Sequence, residues 1–284
     1  MASILFTPFA GYLALRRRRR ALVFAAAEVG YVAVMVAAAL AGMPWVLWAA
    51  LFLFAVHYLG ALVDVGRLAR VTPAQSRRWW MAVVLALLVG TAWEAAANGI
   101  RLRLVETFRI PGGSMIPALQ IGDQFFVDKR SRPVRRGDLV VFRHPIDPEV
   151  DYVMRVVALG GDTIEIREGA LLLNGAVVPA RRIGTSNVTD GPGLFPLAYE
   201  EWEETLDDRT YRMLRDADRT RQSWKGTTVP EGHIFVLGDH RDNSSDSRFW
   251  GTVPIGNIKG HVLWIWWSRE PGGRVRWERL GLRP

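Results

Sequence analysis

The sequence predicts N-terminal transmembrane helices followed by a mainly β extracytoplasmic domain, an antiparallel sandwich or barrel-like fold. Three observations predict it. Apolar residues crowd the first hundred positions of the 284-residue chain, arginine clusters flank some of the apolar runs and not others, and from Val105 onward apolar residues recur with period two between turn residues. The expected organisation is a membrane anchor over 1–99 and a β-rich domain over 100–284, with an insert or subdomain at about 179–226.

Residues 21–42 form a nearly uncharged run, broken only by Glu28. Pro44 opens a second, 44–63, and Trp79 a third, 79–98, whose polar end comes early at Glu94 and Asn98. Each approaches the ~20 residues a helix needs to cross ~30 Å of hydrocarbon. Arg16 to Arg20 precede the first run, and Arg67, Arg70, Arg77 and Arg78 lie between the second and third, whereas the link at Gly42 to Pro44 is uncharged. By the positive-inside rule the N-terminus and second loop are cytoplasmic, and the chain beyond about residue 99 is outside. A cleaved signal ending at "ALAG" is the competing reading. The first run exceeds the about 7–15 apolar residues of a signal and a second span follows at once, so a retained anchor is preferred. Glu28 and His57 read as tolerated polar residues near a helix interface, with an intramembrane site as the alternative. The net charge of +8 suits nucleic acid, but five of the arginines form the pre-membrane run, where they signal topology; no nucleic-acid partner is expected. The absence of cysteine excludes disulfides and a thiol nucleophile.

In the outer domain "DQFFVDK", "GDLVVFRHP", "DYVMRVVAL", "DTIEIREG", "GHIFVLGD" and "HVLWIWWS" read as strands bounded by Gly, Pro or Asp. "LLLNGAVV" is a hairpin, with Asn174-Gly175 suited to a type I′ turn. Residues 179–226 break this rhythm with dense charge and are expected to be partly helical; the sequon-like Asn187-Val188-Thr189 is taken as chance. Trp264, Trp266 and Trp267 suit either a membrane-surface belt or ordinary alternation between core and rim.

Two segments carry chemistry. Ser114 follows two glycines and is flanked by Pro111 and Pro117: glycine lets backbone approach a substrate, and proline stiffens the turn that presents the hydroxyl. "LGDHRDNSSDSRFWGTVP", residues 237–254, packs aspartates, arginines and serines after an apolar strand, a density that calls for mutual pairing around a site. The alternative is a solvated loop with Asx turns.

With "PGGSMIPAL", "GDLVVFRHP", "DYVMRVVALGGD" and "GDHRDNSSDSRFWGTVP" in this order behind apolar runs, the chain resembles bacterial signal peptidase I over roughly residues 105–268. The charged insert is similar to that of the longer Gram-negative members. The resemblance implies a membrane-bound, largely β serine endopeptidase that removes leader peptides from exported preproteins with small-x-small cleavage sites. It places the catalytic domain on the outer, periplasmic face of the bacterial inner (cytoplasmic) membrane. It implies a serine nucleophile and a lysine base, with no metal and no cofactor; the partners are the preprotein and the lipid bilayer. Carried over residue by residue, Ser114 matches the nucleophile, its own N–H an oxyanion donor, and Gly112, Gly113, Met115 and Pro117 shape the cleft. Asp239, Arg241, Ser244, Asp246, Arg248 and Arg155 match supporting positions: Ser244 orients the lysine, and Asp246 and Arg248 form a salt bridge.

Three positions depart from the family pattern. His240 replaces a common asparagine, and Gly112 stands where many Gram-negative members carry an oxyanion-hole serine. The third is Met154, which occupies the position of the general-base lysine. A serine hydroxyl needs a neighbour to accept its proton, a lysine does so when burial lowers its pKa, and a thioether has no useful basicity. Methionine is unbranched and of similar length, so it preserves packing and removes the chemistry. Arg155 cannot deprotonate and faces the other side of the strand. His144, His240 and Lys129 are the substitutes to examine. Two readings stand open: a signal peptidase I-type endopeptidase impaired by Met154, or a non-catalytic leader-peptide-binding membrane paralogue.

Overall fold

The structure is a computed structural model that describes residues 8–15, 17–71, 84, 99, 103–130, 132–188 and 197–284. The chain divides into two compact units, Met1–Val105 and Glu106–Pro284.

The described part of the first unit contains α1 (Pro8–Ala14), α2 (Arg18–Ala41) and α3 (Pro44–Val71). Gly42 ends α2 in the left-handed conformation, its N–H bonded to Ala38 O, and Pro44 opens α3 at the first helical turn, where its missing N–H costs nothing. Arg18–Ala41 and Pro44–Leu68 are long and apolar enough to cross a membrane. α3 continues past the expected end at Val63 because Asp64 is paired: it accepts hydrogen bonds from Tyr12 Oη (2.9 Å) and Arg20 (2.5 Å). His57 lies at the helix interface, its ring stacked 5.0 Å from Phe24 of α2. The expected third span, 79–98, lies outside the described residues apart from Val84.

The second unit is built of strands: β1 (Val105–Arg109), β2 (Asp123–Asp128), β3 (Leu139–Arg143), β4 (Asp151–Leu159), β5 (Thr163–Arg167), β6 (Ala170–Leu173), β7 (Ala176–Val177), β8 (Ala180–Val188), β9 (Leu197–Leu206), β10 (Arg209–Asp216), β11 (Trp224–Thr228), β12 (His233–Leu237), β13 (Val253–Pro254) and β14 (Ile258–Ser268), with one short helix, α4 (Ser247–Trp250), between β12 and β13. They form a seven-stranded sheet in the order β1-β2-β14-β3-β4-β12-β13, a four-stranded sheet β11-β5-β6-β7 and a three-stranded sheet β10-β9-β8. The described ladders in all three are antiparallel. One core, containing Phe125, Val140, Phe142, Met154, Val156 and Val236, fills one face of the large sheet. A second core joins Val157, Ala158, Phe235 and Leu237 of β4 and β12 to Ile164 and Leu171 of the four-stranded sheet and to Leu206 and Tyr211 of the three-stranded one. β4 and β12 are thus covered on both faces, which is why "VVAL" and "IFVL" read as unbroken apolar runs.

The Asn174-Gly175 turn has positive φ at both residues, 53° and 79°, as a type I′ hairpin requires. The expectation of helix in 179–226 is corrected: its described residues are strands and turns, and "EEWEETL" and "RTYRMLRD" are the arms of a hairpin with Asp207 at φ 53° in its bend. The charge density came from cross-strand ion pairs, such as Arg212 with Glu201, rather than from a helical face. In β14 the period of two is interrupted by register shifts, one of them at Gly260, where a Cβ would stand 2.3 Å from Asp128 O. The tryptophans of β14 divide between core and rim. Trp264 is 1 % exposed and packs on Phe126, while Trp266 and Trp267 are partly exposed, Trp267 against Trp277.

The segment after β14 returns to the loop that follows Ser114. Arg279 and Arg276 both pair with the fully buried Asp123, which also accepts from Ser268 Oγ (2.6 Å). The same two guanidinium groups donate to Ala118 O (2.8 Å) and Ile121 O (2.7 Å).

Two acidic groups elsewhere couple the fold to pH. Burial alone would raise Asp138 and Asp162. His261, the Arg135 N–H and Arg209 hold Asp138 below the ordinary value, and Arg136, the Asn174 amide and the Leu159 N–H do so for Asp162. A carboxylate depressed in the folded state stabilises fully above its unfolded pKa, and that contribution is lost as pH falls through the folded value. Thermal melts followed by circular dichroism from pH 7 down to 2 are therefore expected to be flat to about pH 4 and to fall steeply below it. Asp162→Asn lowers the neutral-pH stability by about 1–3 kcal/mol and flattens that acid limb.

Candidate active site

The site is built where the end of β12 meets the loop after β1. The Ser114 loop is pinned by its apolar members: Met115 and Leu119 enter the large-sheet core, and Ile116, which precedes a cis-Pro117, is buried beside Tyr199 and Leu214. Ser114 itself is partly exposed, with Gly112 exposed before it and Gly113 buried. Ile116 N–H to Gly113 O (3.1 Å) and Leu119 N–H to Met115 O (2.9 Å) close the turns of the loop.

The second strand of the chain to arrive is the one leaving β12. Gly238 is the contact point: a Cβ there would lie 2.2 Å from Ser244 Oγ and 2.6 Å from Ser114 O, so only glycine lets the two segments approach. His240 N–H donates to Ser114 O at 3.0 Å. Ser244 Oγ is buried and has no hydrogen-bond partner among the described residues.

Asp246 organises the turn that carries Ser244. It caps α4, accepts from Gly238 N–H (3.1 Å) and forms a two-pronged pair with Arg248 (Nε 2.7 Å, Nη2 2.8 Å), while Arg248 also donates to Arg241 O (2.6 Å). Ser247 Oγ accepts from Val236 N–H (3.1 Å).

Met154 lies on β4, adjacent to this turn. Leu237 pairs with Arg155, so Gly238, one step on, falls level with Met154, one step back. Its side chain is fully buried in the core with Met115, Val140 and Val236. Arg155 points the other way and forms a bidentate pair with Asp239 (2.7 and 2.6 Å), both buried, with its guanidinium 4.2 Å over the Tyr211 ring. Arg241 is likewise buried and paired through both arms with Glu204, which also accepts from Tyr211 Oη (2.9 Å). Burial alone would raise Glu204; Arg241 and the Tyr211 hydroxyl outweigh it and hold the carboxyl below its ordinary value. Burial and the neighbouring Glu204 push the Tyr211 hydroxyl well above its ordinary value, so it stays a donor.

The candidate residues therefore gather in two groups. Ser114, Gly238 and Ser244 converge, and Met154 lies in the core on the strand that pairs with β12. Asp239, Arg241 and Arg155 form a buried charged layer behind. Of the possible substitute bases, Lys129 is paired with Glu106 (2.9 Å), His144 packs between Tyr152 and Trp250, and His240 lies edge-on to Tyr199. Among the described residues no cluster of three His, Asp or Glu side chains is arranged to hold a metal.

Residues 76–267 match the family described as signal peptidase, peptidase S26. The chain belongs to this family. A signal peptidase I of Pseudomonas aeruginosa is 35% identical over 199 residues, spanning 60% of this chain and 67% of that protein. Those of Pseudomonas fluorescens (36% identical, 60% and 67% covered) and Aquifex aeolicus (32%, 60% and 78%) are similar to the same extent of it. The signal peptidase family is one of peptide hydrolases, and the apolar helices α2 and α3 suit a membrane-anchored member.

Sequence reasoning on this signal peptidase-family chain missed Glu204 and Tyr211, which lie in the insert. The available signal was the turn-forming Asp207-Asp208 between two segments of similar length, a hairpin that sets Glu204 opposite Tyr211. Gly238→Ala is expected to push residues 238–244 off Ser114. An overpacking cost of about 1–3 kcal/mol in thermal unfolding should accompany faster amide exchange at His240. An unchanged melt would show that the approach has room to spare.

Proposed function

We propose that the chain is a signal peptidase I-type serine endopeptidase, membrane-bound, whose cleft takes leader peptides of exported preproteins but whose turnover is impaired by Met154. The observation that carries this reading is the buried, unpartnered hydroxyl of Ser244, held at Gly238 against the backbone of Ser114 and level with a fully buried methionine. A buried polar group without a partner is costly, and it is explained when the group that belongs beside it has been exchanged for one that cannot bond.

The preprotein segment lies extended beside Ser114, as in strand addition, with small side chains at the first and third positions before the cut. Ser114 Oγ attacks the scissile carbonyl, and the charge that develops on its oxygen is stabilised by the Ser114 N–H. The step requires the hydroxyl proton to leave. A lysine at 154 would have its ammonium destabilised by the apolar sleeve of Met115, Val140 and Val236, would be oriented by Ser244 Oγ, and would accept that proton as a neutral amine. Met154 fills the same sleeve without accepting anything, so attack proceeds from an unactivated hydroxyl. In this reading Arg155, Asp239, Arg241, Asp246 and Arg248 hold the frame, and the domain works on the outer face of a bacterial cytoplasmic membrane with the N-terminus inside.

The second reading, a paralogue that binds leader peptides without cutting them, is favoured by Met154 alone. The two differ in what a single substitution restores. Cleavage of a preprotein with a small-x-small site is compared for the chain as it stands, Met154→Lys, and Met154→Lys with Ser114→Ala. Met154→Lys is expected to raise kcat/KM by at least about 10³-fold, since losing one member of a catalytic pair commonly costs that much or more. Ser114→Ala should abolish the gain. The rate of the lysine form should rise with pH as the buried amine loses its proton. Leader binding without turnover in the lysine form would favour the paralogue reading, and rapid Ser114-dependent cleavage by the unaltered chain would refute the role given to Met154.

A further inference from the structure

The strands of the charged insert reach the site by three independent routes. The first is a chain of buried charges. Glu204 of β9 and Tyr211 of β10 are cross-strand neighbours, bonded to one another at 2.9 Å. Glu204 holds both arms of Arg241, and the Tyr211 ring supports the guanidinium of Arg155, which grips Asp239. The two residues on either side of His240 are thus anchored, directly or through Arg155, on the insert.

The second route is backbone. Leu214 of β10 donates its N–H to Asp239 O (2.8 Å) and accepts from Arg241 N–H (3.0 Å), a parallel bridge that brackets His240. His240 N–H is the group that donates to Ser114 O. The third is apolar: Ile116, two residues after Ser114, is buried with Tyr199 and Leu214 of the insert. The hairpin tip is fastened in turn, Asp207 to Arg136 (3.1 Å) and Arg209 to Asp138 (2.6 Å).

We propose that the insert is the rear wall of the site, with Glu204 and Tyr211 as positioning residues that set the 239–241 segment and, through the His240 N–H, the Ser114 carbonyl. They touch neither substrate nor the reacting atoms; they act through Arg241 and Arg155. The kinetic part of the test below rests on the peptidase reading of the site, and the exchange part does not.

Removing one charge of a buried pair destabilises simply by stranding the other, so the informative variant removes both. Glu204→Leu with Arg241→Met replaces the pair by apolar groups of similar size, an exchange that buried ion pairs often tolerate with little loss of stability. In the full chain as it stands, amide exchange of residues 239–241 is expected to speed up at least tenfold while the unfolding midpoint stays within a few degrees. In the Met154→Lys background, kcat is expected to fall at least tenfold with KM within about twofold, since binding is untouched and only the alignment of Ser114 suffers. Tyr211→Phe, which keeps the ring under Arg155 and removes only the bond to Glu204, should give a smaller change of the same sign. Exchange unchanged in a folded double variant overturns the proposal, and so does an unchanged kcat. If Met154→Lys does not cut at all, the reading of Met154 fails and the exchange result alone decides. If the double variant does not fold, exchange in Tyr211→Phe decides instead, with no acceleration at 239–241 counting against the proposal.

Discussion

The site depends on one close approach, that of Gly238 to the backbone of Ser114. Two segments separated by more than a hundred residues are brought to van der Waals distance there, and the absent Cβ leaves space for one hydroxyl and one carbonyl. Everything around it secures that approach. Asp246 ties the Gly238 N–H to the turn, Ser247 ties the turn to β12, and Leu214 holds the next three residues from behind. The arrangement concentrates buried charge because a loop cannot be fixed to such tolerance by apolar contacts alone: paired guanidinium and carboxylate groups impose direction as well as distance.

The same economy bears on Met154. It sits inside a core that already contains Met115, Val140 and Val236, so an apolar side chain there needs no rearrangement. Ser244 Oγ, in the turn after β12, is buried without a hydrogen-bond partner among the described residues. Under the proposed reading, methionine in place of a lysine there would erase a proton acceptor and leave the packing whole, separating the stability of the domain from its chemistry.

Much of this was legible in the residues. β4 and β12 read as strands from their apolar runs, the Asn174-Gly175 hairpin from its turn dipeptide, and the pairing of Asp246 with Arg248 from the motif resemblance. The insert was not, because its cross-strand partners alternate in charge and hide the period of two, and because Glu204 pairs with an arginine 37 positions away. Arg155 and Asp239 were each named as supports, yet nothing local says that they bond across 84 positions. Partnership at such separation is a property of the sheet order, which sequence patterning does not specify. Register shifts in β14 were hidden for a related reason: Gly260 marks a close backbone approach, not a turn.

The return of residues 276 and 279 to Asp123, Ala118 and Ile121 has a consequence in time. Arg279 and Ala118 are 161 positions apart, so on a chain made from its N-terminus the loop bearing Ser114 is among the first parts of the domain to be synthesised and among the last to be fastened. Until the arginines arrive, Asp123 lacks its two guanidinium partners and the Ser114 loop lacks its clamp. The nascent domain therefore lacks this clamp until the segment bearing Arg276 and Arg279 has been made.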